Sequence, residues 1–392
     1  MSATPLAGLR VVEFAHMVMG PMAGLILGDL GADVIKIEPA PEGDNTRRLE
    51  GSGIGFFPMT SRNKRSLTLD LKSPAGLAIA RQLISRADIL TENFRPGALN
   101  KLGLGYEDCS TLNPRLIYCS LKGFLAGPYE HRTALDEVVQ MMGGLAYMTG
   151  PVGQPLRAGA SVIDIMGGTF GVVAILAALA ERTRTGRGQH VQSGLFESVA
   201  LLMAQHMAQG FITGTEPKPM SVRDVAWPVY DIFDTADGER IFIGVVTDSQ
   251  WQILCTEFAL ISLADDPTLA TQAARRAARA RTLPIIAACF RGFTRADLAA
   301  RCETLGLPFA PIAKPADLFN DPHLTQSGGL LTITLPDGRA MPIPGLPISF
   351  DGARTSLRYD TPAPGQDNTD ILTELGYDDQ AIAQLRHDHI II

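Results

Sequence analysis

Cysteine is sparse and unpatterned in this 392-residue chain: Cys109, Cys119, Cys255, Cys289 and Cys302 are scattered, odd in number and nowhere spaced as Cys-x-x-Cys. Such a set argues against a disulfide framework and against a zinc site, and for a reducing compartment. Basic clusters are missing too. With a formal net charge of −7 and no run of Lys and Arg to meet a phosphate backbone, the chain is not expected to bind nucleic acid. The opening residues, Met-Ser-Ala-Thr-Pro-Leu-Ala-Gly, contain no basic segment leading into an apolar one, so no secretory signal is expected. The uncharged apolar stretch Ile165 to Ala180 has 16 residues and three glycines, too short to span a bilayer comfortably. A cytoplasmic protein without a membrane partner is expected. Standard catalytic and nucleotide signatures are also absent: no Walker A loop, no G-x-S-x-G elbow, no HExxH, and no G-x-G-x-x-G at the first strand-to-helix turn. Gly51-Ser52-Gly53-Ile54-Gly55 reads as a flexible loop, and His16, ending the first strand, as polar lining.

What the chain does contain is alternation. Leu9–Phe14 is a short β-branched run, Gly20–Leu30 a helix of small apolar residues, and Ala32–Glu38 a second strand, together a βαβ unit with a parallel pair. Strands at Ser66–Leu71, Ala87–Glu92 and Leu116–Leu121 and a helix at Pro74–Arg86 continue the pattern, which predicts an α/β fold with an open parallel sheet. Helices follow at Asp164–Arg182 and Leu195–Gly210. Two hairpin signals, Ala236-Asp237-Gly238 and Pro336-Asp337-Gly338, flank a helical segment over 249–306. Its piece Thr268 to Arg281, with alternating charge, reads as a solvated helix face. The expected organisation is a large domain over 1–210, a linker at 211–226, a smaller α+β domain over 227–328, and a return of 329–392 to the large domain.

One residue stands out in this frame. Asp164 is the only charge between Ala158 and Ala180, in a run that otherwise favours a dry environment. A carboxylate there must be hydrogen-bonded, protonated or reactive. Its local pattern, with Arg182, Arg184 and Gly186 closing the apolar stretch, fits a helix N-cap.

Five separate segments resemble the class III CoA-transferases, the family of formyl-CoA transferase and carnitine CoA-transferase. They are Leu9–Phe14 with Gly20-Pro21 and Leu27–Pro39; Asn63–Leu67 with Asp70-Leu71-Lys72; Glu92–Gly97; Thr185–Gln189; and Glu374–Tyr377. The resemblance implies an interlocked homodimer, each subunit having a Rossmann-like large domain built from both chain ends plus a small domain. It places Asp164 at the catalytic aspartate and Asp136 at an acidic position near it. A desolvated carboxylate can attack a thioester to form an aspartyl mixed anhydride, and the neighbouring Gly167 and Gly168 leave room for an acyl group. By the same resemblance Met17, Val18 and Met19 line the coenzyme A path, Leu69 and Lys72 lie near the adenine, Asn93 and Phe94 near the pantetheine, and Lys101 and Leu102 on the phosphate side. Lys72 and Lys101 have a direct electrostatic reason to meet phosphates. Coenzyme A enters as substrate, and no cofactor or metal is implied.

The family's formyl-CoA transferase has glutamine where Val18 stands, together with a glycine run not found between Met220 and Val246. Gly365-Gln366-Asp367-Asn368 likewise departs from the frequent Gly-Glu-His-Thr. Small carboxylic or dicarboxylic acids, with succinyl-CoA or acetyl-CoA as donor, are therefore expected rather than formate and oxalate. An α-methylacyl-CoA racemase, which shares the fold, needs a His where Leu135 stands. A non-catalytic subunit of a heteromeric transferase is the other alternative, and Asp164 speaks against it.

Overall fold

The computed structural model of the chain describes residues 4–223 and 225–392. Its first part contains strands β1 (Arg10–Phe14), β2 (Asp33–Pro39), β3 (Lys64–Leu69), β4 (Ile89–Glu92), β5 (Ile117–Lys122) and β6 (His190–Gly194). Between and after them come helices α1 (Met19–Asp29), α2 (Phe56–Thr60), α3 (Pro74–Ser85), α4 (Tyr106–Leu112), α5 (Asp136–Met142), α6 (Leu145–Thr149), α7 (Val162–Thr185) and α8 (Leu195–Thr213). The strands form one sheet in the order β3-β2-β1-β4-β5-β6, parallel throughout. Both faces are covered, as a parallel sheet requires. Val11, Ile89, Ile117 and Cys119 point to a core shared with α1, α7 and α8; the alternate residues Val12, Ile35, Leu90 and Tyr118 point to one shared with α3 and the C-terminal helices.

Two elements differ from the sequence reading. Thr185–Gln189 is a family motif by resemblance, but the strand β6 that follows it was not expected, because His190, Gln192 and Ser193 make it too polar to read as one. An edge strand needs apolar residues on one face only. Gly51–Gly55, expected to be a flexible loop, is a 3-10 turn leading directly into α2. Helix α7 is also longer than its uncharged stretch, and by length and composition alone it could cross a bilayer. In the fold its Ile163, Val172, Ile175 and Ala178 are buried in the sheet's core.

The chain divides into two compact units, Met1–Ser221 with Pro322–Ile392, and Val222–Asp321. Of the linker expected at 211–226, the residues up to Thr213 extend α8, which ends where Gly214 adopts φ +66°. The second unit begins at Val222 and ends at Asp321, against the expected 227 and 328. It pairs β7 (Val229–Asp234), β8 (Arg240–Val245) and β9 (Phe309–Pro311) antiparallel, and packs them with α9 (Asp248–Glu257), α10 (Ile261–Ala264), α11 (Gln272–Ala277), α12 (Arg279–Phe290) and α13 (Arg295–Leu305). Thr268–Arg281 is not a single solvated helix. It breaks at Ala278, and Arg275 is buried beside the Trp251 ring, paired with Asp248. An arginine buries when a carboxylate and an aromatic face replace its water.

After α14 (Pro322–Gln326) and the hairpin of β10 (Leu330–Thr334) and β11 (Ala340–Pro344), the chain returns to the large unit as α15 (Asn368–Leu375) and α16 (Asp379–His387). The return closes the β3 edge. Three outward amides of that strand and its end find partners there: Ser66 N–H donates to Asp367 at 2.8 Å, Thr68 N–H to the Asn368 amide oxygen at 2.9 Å, and Asp70 N–H to the Ile390 carbonyl at 2.9 Å.

Candidate active site

The strand order reverses direction between β1 and β4, and in open parallel sheets ligands bind at the carboxyl ends of strands at such a point. Here the loops after β1 and β4 are locked together. The Asn93 side chain accepts from the His16 amide at 3.0 Å and donates to the His16 carbonyl at 2.8 Å. The His16 and Phe94 rings lie 5.3 Å apart. Phe94 is clamped from its other side: Glu92 accepts its amide at 3.0 Å, and Lys122 Nζ donates to its carbonyl at 2.8 Å while pairing with Glu92.

Of the residues expected to line a coenzyme A path, Asn93 and Phe94 are joined by these contacts to His16, the neighbour of Met17. Val18 and Met19 are buried at the start of α1, and Leu69 at the end of β3. Phe94 and Leu102 pack against the apolar layer that contains Leu69. Lys72 and Lys101 are exposed, and no carboxylate among the described residues pairs with either. Two free ammonium groups at the carboxyl side of a sheet suit a phosphorylated ligand.

Met19 connects this crevice to α7. A Cβ built on Gly168 would lie 2.7 Å from the Met19 carbonyl oxygen, and one on Gly167 would lie 2.6 Å from the Met19 methyl. At Gly168, where the atom met is backbone, only glycine permits this approach. Asp164 sits one turn earlier on the same helix. It is not the cap that its local pattern suggested: Ser161 occupies that position, and the capping group comes from elsewhere. Asp136, at the start of α5, accepts from the amides of Ile163 at 2.9 Å and Asp164 at 3.1 Å through one carboxylate oxygen. Its other oxygen takes the Gln140 amide and lies 3.5 Å from Arg157.

The consequence for Asp164 is electrostatic. Its carboxylate receives no hydrogen bond among the described residues, its side chain is half-buried, and the Asp136 carboxylate is close. Burial first, then Asp136, raise its pKa to about 7, with Arg157 pulling the other way. Desolvation without a hydrogen-bond partner is the condition under which a carboxylate can act as a nucleophile. Reading the sequence did not find Gln140, Arg157 or Thr46. Arg157 carried a signal, since it is the only cation between Arg132 and Arg182. Among the described residues no group of three or more His, Cys, Asp or Glu is placed to hold a metal ion.

Known proteins resemble the chain over nearly its whole length. The chain is 37% identical over 385 residues to the succinate–glutarate CoA-transferase of Agrobacterium fabrum, covering 95% of this chain and 96% of that one. It is 33% identical to the succinyl-CoA:glutarate CoA-transferase of Mus musculus, over 98% of this chain and 89% of that one. A crystal structure of a CaiB/BaiF family protein from Brucella suis superposes with a TM-score of 0.84 at 36% identity, covering 96% of this chain and all of the other. The model of CoA-transferase family III matches residues 6–368, and the chain belongs to that family of transferases.

Proposed function

We propose that the protein moves coenzyme A from succinyl-CoA to a small dicarboxylic acid, with Asp164 as covalent nucleophile. The observation that carries this reading is the unbonded, desolvated Asp164 carboxylate, one turn before the glycines that meet Met19. The Asp164 carboxylate attacks the donor's thioester carbonyl, and the C–S bond breaks to release CoA thiolate and leave an aspartyl mixed anhydride. The thiolate attacks the aspartyl carbonyl, giving an aspartyl-CoA thioester and the free donor carboxylate. The acceptor carboxylate then attacks that thioester to form a second anhydride and thiolate. Attack of this thiolate on the acceptor acyl carbon yields the new acyl-CoA and restores Asp164. Asp136 holds the amides at the start of α7, which fixes the direction from which Asp164 meets the thioester. Met17, Val18, Met19, Leu69, Lys72, Asn93, Phe94, Lys101 and Leu102 form the coenzyme A path in this reading. The two relatives named for succinate or succinyl-CoA with glutarate support the donor and the dicarboxylate class. Trapping tests the mechanism. Hydroxylamine or borohydride added after succinyl-CoA should modify the peptide carrying Asp164; turnover with no modification there would refute it.

The proposed nucleophile has to be ionised, which sets the pH profile. Protonated below and ionised above a pKa of about 7, Asp164 should make kcat/KM rise with pH across neutrality and level off on the alkaline side. A profile flat from pH 5 to 9 would count against the assignment.

We infer further that the protein is a cytoplasmic, interlocked homodimer. The helices α5, α7 and α8 present Val138, Met142, Val173, Leu201, Met207 and Phe211 to solvent, and Phe211 is 92% exposed. Large apolar side chains exposed on three helices that pack together mark an interface, and a second copy offers the same surface in return. Light scattering at low concentration should give twice the 42.0 kDa chain mass; a monomer there would overturn the dimer.

A further inference from the structure

Three consecutive backbone positions after β1 are held by side chains from other parts of the fold. Lys36 Nζ, on β2, donates to the Ala15 carbonyl at 2.5 Å. Asn93 takes both the amide and the carbonyl of His16. Thr46 Oγ1 accepts the Met17 amide at 2.9 Å. Met17 has φ +64°, a left-handed conformation that Cβ sterics disfavour in any residue but glycine.

The partner of that strained residue is itself fixed. Asp44 binds the Thr46 amide and hydroxyl through one carboxylate oxygen, both at 2.8 Å. Its other oxygen pairs with Lys36 at 2.8 Å. Lys36 also faces Glu13 at 3.4 Å, and Glu13 pairs with Lys64 at 2.7 Å. All five side chains are buried. Helix α1 yields to them: a Cβ on Gly24 would overlap the Glu13 carboxylate. Buried ion pairs seldom add net stability over well-packed apolar residues, so the stability of the sheet does not account for this chain of charges. What it reaches is the strained loop. Backbone strain of this kind persists only where surrounding structure over-determines it, and it gathers at binding sites.

We infer that Thr46, held by Asp44 and Lys36, is a positioning residue that keeps Met17 in its left-handed conformation and so shapes the acyl-CoA site against α7. Two residues later, Met19 meets Gly167 and Gly168, one turn from Asp164. Thr46 touches no reacting atom, and its effect runs through the Met17 backbone. This inference rests on the acyl-CoA reading above.

Calorimetric titration with coenzyme A, together with the kcat and KM for succinyl-CoA, tests it. Thr46→Val removes the acceptor while preserving shape, and should raise both Kd and KM about tenfold with a much smaller change in kcat. Thr46→Ser restores the hydroxyl and should bind as the wild type does. A merely structural role for Thr46 predicts instead a lower melting temperature and a lower kcat with Kd and KM unmoved. Wild-type affinity in Thr46→Val, or a loss that Thr46→Ser does not repair, would overturn the proposal. If the wild type itself binds no coenzyme A, the acyl-CoA reading falls and the proposal with it, whereas wild-type binding that Thr46→Val leaves intact removes the proposal alone.

Discussion

Asp164→Asn is expected to abolish coenzyme A exchange, by ~10³-fold or more, and at the same time to raise the melting temperature. The loss follows from covalent catalysis: an amide in that position cannot form an anhydride, and Asp136 is occupied by two backbone amides. The gain in stability follows from the sign of the pKa shift. In the folded protein the carboxyl is raised to about 7 by burial and by Asp136, above its value in the unfolded chain. The unfolded state therefore releases this proton first as pH rises, and stability falls between the two pKa values and stays lower above them. Asparagine carries no charge to desolvate. At neutral pH the variant should be more stable by on the order of 1 kcal/mol, a modest figure because the side chain is half exposed to water. The advantage should vanish below about pH 3, under both pKa values, where Asp164 is protonated in both states. Thermal scans at the two pH values, alongside an exchange assay, read both effects; a variant that retains exchange, or melts lower at pH 7, contradicts the assignment.

Arg62→Ala should be the most damaging substitution away from the site, costing ~3–5 kcal/mol. Arg62 is 2% exposed and holds Asp29, at the end of α1, with Nε at 3.1 Å and Nη2 at 2.7 Å from its two oxygens. Asn63, at φ +58°, donates to the same carboxylate at 2.8 Å and accepts from the amides of Arg358 and Tyr359. Removing the guanidinium leaves Asp29 charged, buried and short of a partner. Denaturant titration of the variant and of Asp29→Asn/Arg62→Met would separate the unpaired charge from the lost packing. Equal stability of Arg62→Ala and wild type at pH 7 would show that the pair contributes little.

The sheet was readable because its strands are buried on both faces and their β-branched runs are nearly continuous; β1, β2 and β4 lie within one or two residues of where the sequence puts them. β6 was not, because a polar edge strand has no such run. Asp164 stood out as an isolated charge in an apolar helix, but its role as a cap did not survive. The capping group belongs to Asp136, 28 residues earlier, and no local pattern reports a contact of that range. Thr46 was invisible for the same reason: a threonine in a short turn carries no sign that its hydroxyl meets a strained amide 29 residues away.

The closing of the β3 edge by residues near 367, 368 and 390 has a consequence for how the protein is made. Strand β3 is finished early in synthesis, yet the partners of its outward amides are roughly 300 positions later in the chain. Contacts so distant are slow to form, and a strand with open amides is prone to pair with another chain. The unit Val222–Asp321 is contiguous and emerges whole before the return segment. It can fold on the ribosome while the earlier sheet still waits for its edge, so the nascent large unit passes through a long interval in which β3 is open to misassociation or to a chaperone.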